Sequence, residues 1–271
     1  MTKVLVVTSG KGGVGKTTST AALGAALAQQ GKKVAVVDFD VGLRNLDLVM
    51  GAERRVVFDL INVAQGEAKL HQALIRDKRL SNLFLLPASQ TRDKDALTED
   101  GVRAVIAQLR EKFDWILCDS PAGIERGATL AMRFADIAVV VANPEISSVR
   151  DSDRIIGLLD AKTEQAEAGH RMEKHLLLTR YDARRAGRGE MLSIDDVVEI
   201  LSIPLLGVVP ESEEVLRASN LGAPIVLHNA TSAPARAYAN AAQRLCGADL
   251  PMEIPSDRKS ILGRLFGRRA A

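Results

Sequence analysis

The chain has 271 residues, 46% of them hydrophobic, enough for one full α/β core, and no apolar run reaches the length of a membrane-spanning helix. Two cysteines, Cys118 and Cys246, form no C-x-x-C pair, and the histidines (His71, His170, His175, His228) read as surface or loop residues rather than a ligand set. This argues against a cysteine-rich scaffold or metal centre and predicts a reducing, cytoplasmic setting. The formal charge of +2 is uneven: residues 256–271 carry five basic side chains against Asp257, a net +4, which leaves the rest of the chain at −2.

The opening Met1-Thr2-Lys3 runs directly into the apolar residues 4–7, so no signal peptide is expected, and those residues read as a buried parallel strand. Gly10-Lys11-Gly12-Gly13-Val14-Gly15-Lys16-Thr17-Thr18 follows, and then the alanine-rich, helix-prone residues 21–29. A glycine-rich turn between strand and helix is a phosphate site: missing Cβ atoms let backbone N–H groups converge on the phosphates, and the helix N-terminus adds positive potential. In that motif Lys16 serves the β- and γ-phosphates and Thr17 ligates Mg²⁺. Lys11 is a second loop lysine, which by itself is compatible with a solvated charge.

Further β-branched or leucine-rich runs at 34–37, 83–86, 115–117, 137–141, 176–178 and 205–209 predict strands. Helical patterns near 100–111, 147–159, 194–201 and 233–245 lie between them. Alternating β and α with fully apolar strands predicts an α/β fold, a predominantly parallel sheet with helices on both faces and ligands at the strands' carboxyl ends. At those ends stand Asp38 and Asp40, two carboxylates at i and i+2 suited either to capping a helix or to serving Mg²⁺ and water. Asp119 ends an apolar strand and is placed to hold Mg²⁺ through a bound water; Ser120 follows it, so the acidic general base of many ATPases is missing there. In residues 143–154, Ser147 and Ser148 suit a helix N-cap, with acidic residues in the first turns. No Asn-Lys-x-Asp guanine signature occurs.

The phosphate loop with Lys11, the segment Asp38-Phe39-Asp40-Val41-Gly42-Leu43-Arg44-Asn45-Leu46-Asp47, the run 88–97, Asp119-Ser120-Pro121-Ala122-Gly123-Ile124-Glu125 and the stretch 143–154 together resemble the MinD/ParA family of deviant Walker A ATPases, its septum-site branch in particular. The resemblance covers the whole chain. It implies ATP and Mg²⁺ as cofactors, Lys11 reaching the phosphates of a partner subunit, Asp40 orienting the attacking water, and Asp38 supporting the metal shell. It further implies Glu145 contacting the partner's nucleotide and Pro210 lying where the family closes over the base. Thr179 occupies a position where many relatives place an asparagine against adenine, and departs from that pattern. The implied cycle runs from a cytosolic monomer to an ATP-bound homodimer on the cytoplasmic face of the inner membrane, with MinC-like and MinE-like partners and no specific nucleic acid.

The reading therefore divides the chain into an ATPase domain, 1–250, and a linker with an amphipathic membrane helix, 251–271. On a helical wheel, Ile261, Leu262, Leu265 and Phe266 fall on one apolar arc, flanked by Lys259, Arg264 and Arg268. The same tail would also suit a helix docked on the body. A ParA-like DNA-segregation ATPase is the alternative function, opposed by the acidic body and the lipid-type tail. An iron-sulfur carrier of the nitrogenase iron-protein type would need cysteines placed at a dimer axis.

Overall fold

The computed structural model describes residues 2–92 and 94–256. Eight strands form one sheet: β1 (Lys3–Thr8), β2 (Val34–Asp38), β3 (Ile75–Arg76), β4 (Leu83–Leu86), β5 (Trp115–Asp119), β6 (Ile137–Ala142), β7 (Glu173–Tyr181) and β8 (Leu205–Pro210). Their order is β3-β4-β2-β5-β1-β6-β7-β8, parallel throughout except for the antiparallel edge pair β3–β4. All the expected strands are present. β3, only two residues long, has no pattern to read, and β7 begins earlier because polar Glu173, Lys174 and His175 pair with Ile137, Ala138 and Val139.

Alternation along β1 divides the interior. Val4 and Val6 face a core built with the helices Glu99–Arg110 and Ile146–Lys162, while Leu5 and Val7 face one built with Lys16–Gln29 and Ala233–Leu245. The first of these helices starts at Glu99 because Thr98 accepts the Gly101 N–H through its side chain. The expected serine cap of Ile146–Lys162 is corrected: Glu145 is the N-cap residue, and Ser148 Oγ instead accepts the Asn143 N–H at 3.0 Å, tying the helix to the end of β6.

The helix Lys16–Gln29 is buried along most of its length, between the sheet and Ala233–Leu245. Ser19 and Tyr238 share a buried hydrogen bond of 3.0 Å across that contact. Gly24 allows the close approach: a Cβ there would lie 2.6 Å from Val36 Cγ1 in the sheet. Gly24→Val should therefore cost about 1–3 kcal/mol through overpacking despite valine's better helix propensity, which chemical denaturation would register as a lower midpoint at an unchanged slope.

Candidate functional site

β1 lies between β5 and β6, and the chain departs from it toward β2 on one side and later fills β6, β7 and β8 on the other. A crevice opens where strand order diverges in this way. The loop Gly10–Gly15 enters it from β1, with Gly13 and Gly15 in the left-handed region at φ 77° and 96°, and the helix begins at Lys16. Gly10 is required by packing: a Cβ there would fall 2.2 Å from the Asp151 carbonyl oxygen, so loop and helix Ile146–Lys162 meet backbone to backbone.

The cleft has two lobes. One, of ≈ 480 Å³, is lined by the loop residues Gly12, Gly13, Lys16 and Thr17 together with Asp40. The other, of ≈ 640 Å³, is lined by Val14, Thr179, Val209, Pro210, Leu216 and Tyr238. Both include Gly15, Thr18, Val49, Arg180 and Ser219, so they are continuous. The polar lobe with converging N–H groups suits phosphates, and the more apolar lobe suits a base.

Charge is concentrated at the phosphate end. Lys16 Nζ donates to Ser9 Oγ at 2.8 Å, and Ser9 Oγ donates to the Lys11 carbonyl at 2.8 Å. Burial lowers the Lys16 pKa, opposed by the nearby Asp119 and Asp40 carboxylates. Asp38 and Asp119 are register partners at the ends of β2 and β5, and both are buried. Burial pushes Asp119 up to about 6, against hydrogen bonds from Thr17 and Thr20, the latter at 2.8 Å. Burial and then the Asp119 charge raise Asp38 well above the usual carboxylate range, although it accepts the N–H groups of Asp40 at 2.8 Å and Leu46 at 3.2 Å. Two buried carboxylates with raised pKa values, beside a threonine hydroxyl and a phosphate cradle, are a donor set that fits Mg²⁺. Among the described residues no protein-only cage of three acidic, histidine or cysteine side chains exists.

Sequence-predicted residues gather here with some changes of role. Asp38 uses both carboxylate oxygens on the backbone of the segment that bears Asp40. Thr179 is buried, its Oγ1 2.7 Å from the Val14 carbonyl and 2.9 Å from Asn143 Oδ1, so it ties β7 to the phosphate loop while its residue lines the base lobe. The Gly123 N–H donates to the Ser9 carbonyl at 3.1 Å. Lys11 and Glu145 form an ion pair of 3.0 Å within one chain, with Ser147 Oγ also 3.0 Å from Lys11 Nζ. The tail residues Lys259, Ile261, Leu262, Arg264, Leu265, Phe266 and Arg268 lie outside the described residues.

Beyond Thr179 and Pro210, sequence reasoning missed the cleft walls. Arg180 lines both lobes and holds a left-handed backbone at φ 54°, unusual for a non-glycine residue and without a local sequence signal. Asn45, Leu48 and Val49 come from the short helix Leu46–Val49 and its cap, and Leu216 and Ser219 from the helix Glu213–Asn220. Patterns of four to eight residues carry little period, though the Ser212 cap followed by two glutamates was a readable start signal.

The CobQ/CobB/MinD/ParA nucleotide binding domain family matches residues 5–225. This chain belongs to the MinD/ParA family. The septum site-determining protein MinD of Neisseria meningitidis is 58% identical over 271 residues, covering 98% of this chain and all of its own, and the Escherichia coli protein is 58% identical over 270 residues. Among solved structures, the Aquifex aeolicus MinC:MinD complex matches this family member with a TM-score of 0.84 at 40% identity, over 94% of this chain and 100% of that one. The Pyrococcus horikoshii MinD complexed with Mg-ADP matches with a TM-score of 0.79 at 33% identity, over 90% of this chain and 96% of that one. These likenesses span the expected fold and the septum-site branch together.

The Lys11–Glu145 pair is solvent-exposed, and such pairs contribute about 0–1 kcal/mol. Lys11→Ala should consequently leave the thermal midpoint of the nucleotide-free protein essentially unchanged in differential scanning calorimetry.

Proposed function

We propose that this chain is a Mg²⁺-dependent ATPase that helps to place the division septum by cycling between a monomer in the cytoplasm and an ATP-bound homodimer on the inner membrane. The 58% identity with septum site-determining proteins over 98% of the chain carries this reading. On the membrane the dimer recruits a MinC-like inhibitor, and a MinE-like partner stimulates hydrolysis and release. The solved MinC:MinD complex of a relative supports the first partnership.

In the cleft, the Gly10–Gly15 backbone and Lys16 bind the triphosphate and neutralise its charge, while Thr17 and Asp119 would hold the metal and Asp38 would support its shell. Bound Mg²⁺ would offset developing negative charge on the phosphoryl oxygens. Asp38 also holds the segment carrying Asp40, which orients water toward the γ-phosphate, since Ser120 stands where other ATPases place a carboxylate. Val14, Thr179 and Pro210 border the space for the base. Lys11 leaves Glu145 and Ser147 when the second subunit arrives, and serves that subunit's phosphates.

Residues 251–271 supply membrane contact. Interfacial burial of Ile261, Leu262, Leu265 and Phe266, with about 1 kcal/mol for each basic residue near an anionic surface, gives one tail weak, reversible binding. Two tails on one dimer make the second contact intramolecular and raise avidity by about 10²–10⁴. Nucleotide state then controls location through valence.

Asp40→Ala should retain ATP but hydrolyse it about 10²–10⁴-fold more slowly, the usual contribution of a positioned acid–base group, in a single-turnover assay. Co-sedimentation with anionic vesicles tests the location: the wild type should pellet with ATP and not with ADP, and Phe266→Glu should dimerise with ATP yet stay in the supernatant. Equal pelleting with ATP and ADP would sink the valence mechanism.

A further inference from the structure

Two glycines outside the phosphate loop touch in a way that side chains would forbid. Gly51 follows the helix Leu46–Val49, and Gly222 follows the helix Glu213–Asn220. Both are left-handed, at φ 64° and 62°. A Cβ on Gly51 would lie 2.7 Å from the Gly222 carbonyl oxygen, and one on Gly222 would lie 2.7 Å from Gly51 Cα. The two main chains are therefore in direct contact, far apart in sequence, at the point where the two walls of the cleft come together.

An arginine bridges that contact. Arg79 Nη1 donates to the Gly222 carbonyl at 3.1 Å, and Nη2 donates to the Met50 carbonyl at 3.0 Å. The guanidinium is held in turn by buried Asp77, with Nη2 2.9 Å from Oδ2 and Nε 3.3 Å from Oδ1. Asp77 Oδ1 also accepts the N–H groups of Arg79 and Leu80. Burial alone would raise the Asp77 pKa, but the Arg79 hydrogen bonds outweigh it and hold the carboxyl below its ordinary value. A planar fork with fixed donor directions can join two carbonyls from different loops while paired to a carboxylate; an ammonium is a single point charge.

The joined segments do different work. Asn45, Leu48 and Val49 line the phosphate lobe, on the segment that Asp38 holds together with Asp40. Leu216 and Val215 line the base lobe from the other helix, whose Ser219 reaches both lobes. Arg79 lines neither lobe. We infer that Arg79, with the Gly51–Gly222 contact, is a positioning latch that sets the spacing between the base wall and the Asp40 wall, coupling occupancy of the base lobe to the phosphate lobe. The inference rests on the nucleotide reading of the cleft. A ligand that spans both walls gains from the preset spacing; one confined to the phosphate loop does not.

The test compares ADP with inorganic tripolyphosphate on full-length protein, by titration calorimetry, in the wild type, Arg79→Lys and Gly222→Ala. Arg79→Lys retains a cation for Asp77 but loses the planar fork that reaches both carbonyls and the carboxylate together; Gly222→Ala disturbs the same contact while leaving Arg79 intact. In both variants ADP should bind at least about fivefold more weakly, the lower end of ordinary coupling between sites, while tripolyphosphate stays within about twofold of wild type. Arg79→Lys should lower the thermal midpoint modestly, because hydrogen bonds of the guanidinium are lost, while still separating the two ligands. Unchanged ADP affinity in Arg79→Lys overturns the latch. Equal weakening of both ligands also overturns it, by reducing Arg79 to general support of the fold. Failure of the wild type to bind ADP would remove the nucleotide reading itself, and the latch with it.

Discussion

Charge buried where the central strands end governs how the rest of this molecule is arranged, because an ion removed from water costs several kcal/mol unless partners replace its hydration. Lys16, Asp38 and Asp119 all meet that requirement through local groups. Ser9 receives the ammonium, the backbone N–H groups of Asp40 and Leu46 occupy Asp38, and the hydroxyls of Thr17 and Thr20 occupy Asp119. Compensation is incomplete, as the raised carboxylates show. A cation held beside them would favour their ionised forms and offset that cost, which is what the proposed metal would do.

Holding those groups in place is the task of the sheet. Parallel pairing of β2, β5, β1 and β6 brings Asp38, Asp119 and the phosphate loop to the same carboxyl end of the sheet, and the two apolar layers keep water from the strand interiors. Glycine decides how close the covering elements come. Gly10 admits the helix Ile146–Lys162 to the phosphate loop, Gly24 admits the first helix to β2, and Gly51 with Gly222 lets the two cleft walls touch. In each case the contact is backbone against a neighbour, so it has little room to adapt and transmits displacement well.

The exposed rim contrasts with this interior. Lys11, Glu145 and Ser147 pair at the surface, where an ion pair is weak and easily exchanged. A group meant to leave one partner for another belongs in such a setting. Lys16, buried and confined by Ser9, belongs where it cannot leave. Two lysines five residues apart in one loop therefore differ in burial and in the partners that hold them.

The fold class and the phosphate cradle were determined by the sequence alone, for a local reason: continuous apolar runs, a glycine-rich turn and an alanine-rich helix each specify their own conformation within a dozen residues. Asp38 and Asp119 were legible as strand-end carboxylates because each directly closes an apolar run, and Asp40 stands two residues beyond the first. Tertiary structure decided what depends on distant segments meeting. It committed the Thr179 hydroxyl to the Val14 carbonyl, 165 residues away in sequence. Nearer at hand, several local partners were open, and Asp38 took the N–H groups of Asp40 and Leu46 while Ser148 took that of Asn143. The cleft walls, with Arg180 in a left-handed backbone and Arg79 spanning Met50 and Gly222, left no periodic trace. Hydrogen bonds across tens to hundreds of residues depend on the three-dimensional path of the chain, and no local spacing encodes that path.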